Sequence, residues 1–318
     1  MKEKERPHGL HQIALVALFT LGNTLLHFPW TSAQAGVTIS FLLSSVTALL
    51  FGLGSSFFAV RLFRRPLWGK EKLRMVLCVL LAAAVCALAF FFAVRATRDL
   101  RSFFEGTLLP HGTGLVFAAL FLAVCAWLSR GPRRGMDVFA LIAFFSAFAA
   151  VGVLFLLSIP QFHAEYGNIE LPSAKAVGAS VFPAFAEFAL PMFPLGVYLA
   201  LAKPGRGKMR PQRPLAAGIL TGGAMMLLCV LQTLLTFGES YAASLQYPYS
   251  AAVRVVSVGA YAFRPELFSY LLDFSACLVR VSVCFSCLKF SVGRFLPRFR
   301  NRVPLLAALF AFVALCLF

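Results

Sequence analysis

Charged residues are scarce in this sequence. Lys, Arg, Asp and Glu together make up 13% of the 318 residues, while 60% are hydrophobic. A soluble domain carries roughly 25% charged residues. No polar stretch is long enough to form a separate soluble domain. The composition therefore excludes an ordinary soluble protein and predicts a single integral membrane domain over 1–318.

Acidic residues are the scarcest charged class. Twelve Asp and Glu stand against 29 Lys and Arg, which gives a formal net charge of +17. The Lys and Arg residues form short clusters between apolar runs, as in the cytoplasmic loops that orient membrane proteins. They do not form one basic helix face or a basic tail. The sequence therefore predicts a lipid bilayer as partner and no nucleic acid.

Motifs for catalysis and metal binding are missing as well. The five histidines are scattered, and there is no nucleophile elbow, phosphate-binding glycine loop or HExxH motif. All eight cysteines fall inside apolar runs, where thiols behave as small hydrophobic groups. The C-x-x-C pair Cys284 and Cys287 has no second pair to complete a metal site. We therefore expect neither an enzyme nor a metal or cofactor site.

Long apolar runs are what the chain has in abundance. A membrane helix needs about 20 mainly apolar residues. The predicted spans are 11–31, 36–60, 73–94, 113–129, 137–159, 176–202, 214–237, 266–290 and 303–318. Because no small-residue cleavage site follows it, Leu10–Trp30 is interpreted as a retained helix and not as a signal peptide.

The distribution of basic residues predicts the orientation. With the N-terminus in the cytoplasm, 21 of the 29 Lys and Arg lie in cytoplasmic segments, and six lie in the opposite loops. The cytoplasmic segments are 1–11, 61–74, 130–135, 203–213 and 294–302. Positive residues favour the cytoplasmic side of bacterial membranes. We expect a multi-pass protein of the bacterial cytoplasmic membrane with a cytoplasmic N-terminus.

Two predicted spans are interrupted. The first contains Gly22-Asn23-Thr24 near its middle, and the sixth contains three prolines within 181–194, each of which removes a helical hydrogen bond. Backbone groups freed in lipid must line a cavity or pack on protein. The interruptions lie five spans apart, as in an inverted-repeat transporter, with repeat one at about 11–159 and repeat two at about 176–318. The alternative is two ordinary kinks.

Three ionisable residues lie inside predicted spans, where charge is costly and usually functional: Glu187, Asp273 and Arg280. At about 1.5 Å per residue, Glu187 and Arg280 lie roughly 18 Å and 21 Å below the outer ends of their spans. The matching depths predict an ion pair between them, either near a ligand or purely structural. Asp273 lies nearer the outer surface, where we expect it to face a water-filled vestibule.

A broken helix also offers a ligand site. Free backbone N–H groups near Asn23 and Thr24 could bind a carboxylate, although Asn23 could equally form an ordinary interhelical hydrogen bond. Glu187 could bind an ammonium group, so the two breaks together would suit a zwitterion. The predicted ligand-binding residues are Gly22, Asn23, Thr24, Ala184, Phe185, Glu187, Phe188, Asp273 and Arg280.

Several motifs in order resemble the GerAB-type spore germination proteins. These are the B subunits of nutrient germinant receptors, in the amino acid–polyamine–organocation superfamily. The motifs are Gly22-Asn-Thr-Leu-Leu-His-Phe-Pro29, Leu100-Arg-Ser-Phe-Phe-Glu-Gly-Thr-Leu-Leu-Pro110, Ser129-Arg-Gly-Pro-Arg-Arg134, Thr236-Phe-Gly238 with Leu245-Gln-Tyr-Pro248, and Phe263-Arg-Pro-Glu-Leu-Phe268.

The resemblance implies an all-α membrane protein of the broken-helix (LeuT-like) transporter type with ten helices. It also implies a site for amino acids or related nutrients and assembly with A-type and C-type (lipoprotein) receptor subunits. The spore inner membrane is the other location that the resemblance implies. It further implies that Arg95–Pro110 continues helix three outward, although a surface amphipathic segment fits these residues equally well. An amino acid permease and a non-binding structural subunit of a membrane complex are the alternative functions.

The sequence departs from the family pattern in two places. The family's L-L-P-x-T-P is Leu-Leu-Pro-His-Gly-Thr over 108–113, and the ninth run ends at Phe318 without a tenth. We therefore expect nine spans and an incomplete second repeat.

Overall fold

The computed structural model describes residues 8–22, 45–47, 49–54, 56–58, 72–109, 112–167, 174–201, 212–256 and 265–317. Within these ranges the regular structure is entirely helical. The helices are α1 (His8–Leu21), α2 (Ser45–Phe58), α3 (Lys72–Thr107), α4 (Gly114–Arg130), α5 (Arg133–Ser158), α6 (Ala174–Ala184), α7 (Leu190–Leu201), α8 (Gln212–Ser244), α9 (Pro248–Val255), α10 (Glu266–Phe295) and α11 (Val303–Leu317).

Four of these helices are long and apolar enough to cross a membrane. They contain the segments Val79–Thr107, Arg134–Gln161, Arg213–Ala242 and Glu266–Gly293. Five shorter apolar helices accompany them in the described ranges: Gly9–Leu21, Ser45–Phe58, Gly114–Arg130, Phe185–Leu201 and Val303–Leu317. Each of the nine segments coincides with one predicted span, so the fold class of a multi-span helical membrane protein is confirmed.

The third span is longer than its apolar run because α3 continues outward to Thr107. The carboxylate of Glu105 joins the end of α3 to the start of α4. Its Oε1 accepts a hydrogen bond of 3.1 Å from the Gly114 N–H, and its Oε2 lies 3.3 Å from Arg101 Nε. A carboxylate at a helix N-terminus is stabilising. The continuation of helix three beyond Arg95, which the resemblance implies, is confirmed as far as Thr107.

Helix α10 lies at the centre of the bundle. Of the 18 most apolar consecutive residues of α10, 89% are buried, against 33% of the corresponding residues of α3 and of α5. It packs on α1, α3, α4, α5 and α7. Large apolar side chains point outward from the peripheral helices, as lipid contact requires, including Leu120, Trp127 and Ile142. The polar groups of α10 consequently face protein.

Helix α1 packs most extensively on α8, at two glycines one turn apart. A Cβ at Gly222 would lie 2.6 Å from the Ala17 carbonyl oxygen, and one at Gly218 would lie 2.5 Å from the Val16 Cβ. Small residues four apart allow membrane helices to approach closely in this way. The contact positions α1 within the bundle.

Candidate functional site

The end of α1 lies against α10. The helix ends at Leu21, and Gly22 follows in a turn whose N–H donates to the Leu18 carbonyl. A Cβ at Gly22 would lie 2.8 Å from the Ala276 carbonyl oxygen, so only glycine permits this approach. The helix thus ends where the sequence predicts the interruption. The predicted residues Asn23 and Thr24 lie outside the described residues.

The sixth span takes a different form from the predicted one. Helices α6 and α7 join through one π-helical turn, Phe185–Ala189, and Pro194 is accommodated inside α7. The prediction that the prolines undo this helix is wrong, because a wider turn absorbs the irregularity while the helix continues. Single π-turns are rare and occur frequently at functional sites. Glu187 lies in the middle of this one.

Glu187 is paired with α3. Arg95 Nη2 donates to Glu187 Oε1 at 2.9 Å, and the glutamate side chain is only 9% exposed. The predicted pair of Glu187 with Arg280 is therefore wrong. Depth along two separate helices does not specify which neighbour each side chain faces, and α3 supplies the nearer cation. The Arg95 Nε also lies 3.9 Å from Asp99 Oδ2, one turn further along α3.

Arg280 is instead bound to the end of α1. The residue is 4% exposed, and its Nη1 donates to the Gly22 carbonyl. Its guanidinium carbon lies 5.8 Å from the centre of the Phe19 ring and 5.9 Å from that of Phe92. Such distances are typical of cation–π contacts. Arg280 therefore links α10, α1 and α3.

Helix α3 connects the two charged positions. Phe92 contacts Arg280 and Arg95 binds Glu187, and residues three apart lie on the same helix face. Sequence reasoning missed both, because hydropathy ends the third predicted span at residue 94. The spacing within 92–95 would have indicated a shared face once helix three was extended through Arg95.

The remaining predicted residues are placed differently from one another. Ala184, which directly precedes the π-turn, and Phe188, which lies within it, are both buried. Phe185 is 39% exposed and lines an apolar surface groove with Phe51 and Phe193. Phe185 thus points away from the buried carboxylate of its own turn.

Asp273 is 4% exposed, two helical turns before Arg280 on α10. Its neighbours include Cys229 of α8 and Tyr249 of α9. The expectation that Asp273 faces a water-filled vestibule is wrong, because α8 and α9 cover that part of α10.

Two of the sequence motifs meet at one end of the bundle. The Phe103 ring packs edge-on against Tyr247 at 4.9 Å and against Tyr270 at 5.4 Å. Arg254 Nη2 donates to the Tyr270 hydroxyl at 2.6 Å. Gly238 adopts a φ of 71°, a left-handed conformation that suits glycine. The motif residues Phe103 and Tyr247, together with Tyr270 and Arg254, therefore join α3, α9 and α10 into one structural cluster.

Comparison with known protein families finds a match to spore germination proteins over residues 10–318. The chain belongs to this family. The resemblance noted in the motifs is thereby confirmed. A search of curated proteins finds no match.

Among solved structures, the chain is similar to that of MhsT in complex with L-phenylalanine. The TM-score is 0.59 at 14% sequence identity, and the similarity covers 96% of this chain and 78% of that chain. At this identity the likeness shows the fold, which is the LeuT-like transporter fold. Family and fold together make the chain a multi-pass membrane protein of the transport and receptor type, not an enzyme.

Proposed function

We propose that this chain is the B-type membrane subunit of a nutrient germinant receptor. It binds a small amino-acid-like nutrient within the membrane and passes a conformational change to A-type and C-type (lipoprotein) partner subunits. The family match supports the receptor context. The shared fold with MhsT, whose structure contains L-phenylalanine, supports a ligand of amino-acid size.

The observation that carries this proposal is the buried carboxylate of Glu187 at a π-turn, held by an arginine that has a second partner nearby. The ligand's ammonium group binds Glu187, and Arg95 then turns to Asp99 on its own helix. The ligand's carboxylate binds the backbone beyond Gly22, at Asn23 and Thr24. Ala184 and Phe188 form the apolar wall of the site at the π-turn.

This exchange of partners supplies a signal. In the described structure Arg95 ties α3 to the π-turn between α6 and α7. When the ligand's ammonium group binds Glu187, the contact between Arg95 and Glu187 is lost, and α3 can move relative to α7. The long outward part of α3 contacts α4 and α11, so the movement reaches the surface of the bundle. Partner subunits bound at that surface would respond to the movement of α3.

A binding experiment tests the ligand site. The purified chain in lipid nanodiscs is screened with a panel of L-amino acids for ligand-induced thermal stabilisation, followed by equilibrium binding of the hits. We expect Glu187→Gln to weaken binding at least about tenfold, since an ion pair of roughly 1.4 kcal/mol corresponds to that factor. The matched control is Glu105→Gln, which removes another arginine-paired carboxylate, at the far end of α3. Equal loss in both variants, or stabilisation by none of the amino acids, contradicts the ligand site.

Uptake separates a receptor from a permease. Proteoliposomes containing the chain are given a radiolabelled amino acid that the binding screen has identified. Binding without accumulation supports the receptor, whereas saturable, gradient-driven accumulation supports an amino acid permease.

Co-purification with A-type and C-type subunits from cells tests the partners. Membrane fractionation of vegetative cells and spores tests the location in the cytoplasmic membrane or the spore inner membrane.

A further inference from the structure

Arg280 is a buried charge without a carboxylate. Among the described residues, no acidic side chain lies within ion-pair distance of it, and its Nε has no hydrogen-bond partner. The segment 23–44 that follows α1 contains no Asp or Glu. The acidic residues outside the described ranges all lie outside the predicted spans: Glu3, Glu5, Glu71 and Glu170. An ion pair therefore does not explain how this charge is tolerated.

The partners of Arg280 are a helix end and two aromatic rings. The last carbonyls of a helix have no partner within the helix and carry partial negative charge. Water cannot satisfy such groups in the hydrocarbon core. Arg280 Nη1 donates to the Gly22 carbonyl just beyond α1, while Phe19 and Phe92 contact the guanidinium. The positive charge of Arg280 thus compensates the partial negative charge at the end of α1. The same contact compensates the buried charge of the arginine.

Helix α10 repeats this arrangement nine residues later. Lys289 is buried, and its Nζ donates to the Ser129 carbonyl at 3.1 Å and to the Arg130 carbonyl at 3.0 Å. Those carbonyls belong to the last turn of α4. One helix therefore places two cationic side chains against the carboxyl ends of two neighbouring helices. The repetition is an independent observation in favour of the same electrostatic role for Arg280.

We propose that Arg280 is a fixed cation that holds the C-terminal end of α1 against α10, so that this contact requires no bound metal ion. The guanidinium remains in place whether or not a ligand is present. Arg280 is thereby a positioning residue that acts through α1 and does not contact the nutrient. Stability and the packing of α1 on α10 are then independent of the kind of monovalent cation in solution.

Chemical rescue tests the proposal without any ligand. The full chain in nanodiscs is compared with Arg280→Ala, Arg280→Gln and Arg280→Lys by thermal unfolding in sodium, potassium and choline chloride. We expect the parent Tm to be the same in all three salts. We expect Arg280→Ala to lower it by roughly 5 °C. Low concentrations of guanidinium ion should restore at least half of that loss. Lys289→Ala is the matched control. It leaves Arg280 in place, so guanidinium finds no vacant position at the end of α1, and the Tm of this variant should not recover.

A distance measurement distinguishes positioning from general stability. Spin labels on cysteines placed at Leu10 and Leu296, both exposed, report the separation of α1 and α10. The distribution of distances between the two labels should broaden in Arg280→Ala and narrow again when guanidinium is added. It should stay unchanged in Lys289→Ala. If Arg280→Ala does not fold, the Tm values of Arg280→Lys and Arg280→Gln are compared, since only the lysine variant keeps a positive charge. A lysine variant no better than the glutamine variant, or a parent Tm several degrees higher in sodium than in choline, overturns the proposal.

These readouts stand apart from the proposed ligand site. If no amino acid binds the parent chain, the germinant-receptor proposal fails, while Tm and distance still report on Arg280. If guanidinium rescues nothing but amino acids bind, only the inference on Arg280 fails.

Discussion

Glu187, Arg280 and Lys289 are charged side chains buried in an apolar bundle, and their charges are compensated by two kinds of partner. Glu187 is paired with the arginine at position 95, while Arg280 and Lys289 bind backbone carbonyls at the ends of α1 and α4. Removing one partner of such a contact costs more than the contact itself contributes, because the other group stays buried without compensation. The first predictions follow from this asymmetry.

A double-mutant cycle measures the pair of Arg95 and Glu187. We expect Arg95→Gln and Glu187→Gln to destabilise the chain individually and the double variant to be less damaged than the sum, with a coupling of about 1 kcal/mol. The arginine is 38% exposed, which keeps the value modest. Thermal unfolding can be followed by labelling of the buried cysteines as they become accessible. A larger coupling between Glu187→Gln and Arg280→Gln would contradict the observed pairing.

Lys289 can be tested by removing its charge. Lys289→Met leaves the carbonyls at the end of α4 without a donor, and we expect a loss of about 1–3 kcal/mol, the typical cost of an unsatisfied buried polar group. Thermal unfolding in nanodiscs measures it. Lys175→Met is the control, because Lys175 is exposed at the start of α6. Similar Tm values for the two variants would show that the α4 contact contributes nothing.

Gly22 can be tested by adding one methyl group. In Gly22→Ala the new Cβ would collide with the Ala276 carbonyl, a backbone atom that cannot turn away. We expect the end of α1 to shift from α10 and the Tm to fall by roughly 5 °C, as overpacking of about 1–3 kcal/mol implies. Gly152→Ala is the control, since a Cβ there meets nothing within 4 Å. An unchanged Tm in Gly22→Ala would refute the close approach.

At the scale of elements, two features decide where the charges meet. The π-turn at Phe185–Ala189 allows the sixth span to continue as a helix while presenting Glu187 to α3. The glycines of α8 bring α1 close enough for its end to contact α10. The first sets the direction of a side chain, and the second sets the position of a whole helix.

The packing of α1 on α8 is testable at Gly222. Gly222→Ala places a Cβ 2.6 Å from the Ala17 carbonyl oxygen, so α1 and α8 must separate. We expect a lower Tm and, because α1 moves, weaker binding of any ligand that the screen identifies. Gly178→Ala on α6 has open space around the new Cβ and serves as control. Equal Tm values in both variants would mean that the glycine contact is not required.

At the scale of the whole molecule, the charge distribution predicts the orientation, with the N-terminus and the loop between α4 and α5 in the cytoplasm. In a variant whose exposed Cys316 is replaced by serine, single cysteines are placed at Arg134 and Tyr166. A membrane-impermeant thiol reagent added to intact cells should label position 166 and leave position 134 unlabelled until the cells are opened. The reverse pattern would invert the topology.

The motifs illustrate how far sequence reasoning reached. They identified the family. Ionisable residues and helix interruptions are conspicuous in apolar runs, and they placed Glu187, Gly22 and Arg280 among the candidates. They missed Arg95, which lies where hydropathy alone ends the third span. The sequence also did not predict that Asp273 is buried, because hydropathy does not show how α8 and α9 pack over that part of α10.

The number and location of the nine apolar segments follow from the sequence alone, because the length and hydropathy of each segment are properties of that segment. Which charges meet was decided only by the tertiary structure. The pairing of Glu187 with Arg95, and of Arg280 with the end of α1, depends on how each helix is rotated about its axis and which neighbour it packs against. Those rotations arise from side-chain packing between helices far apart in the chain.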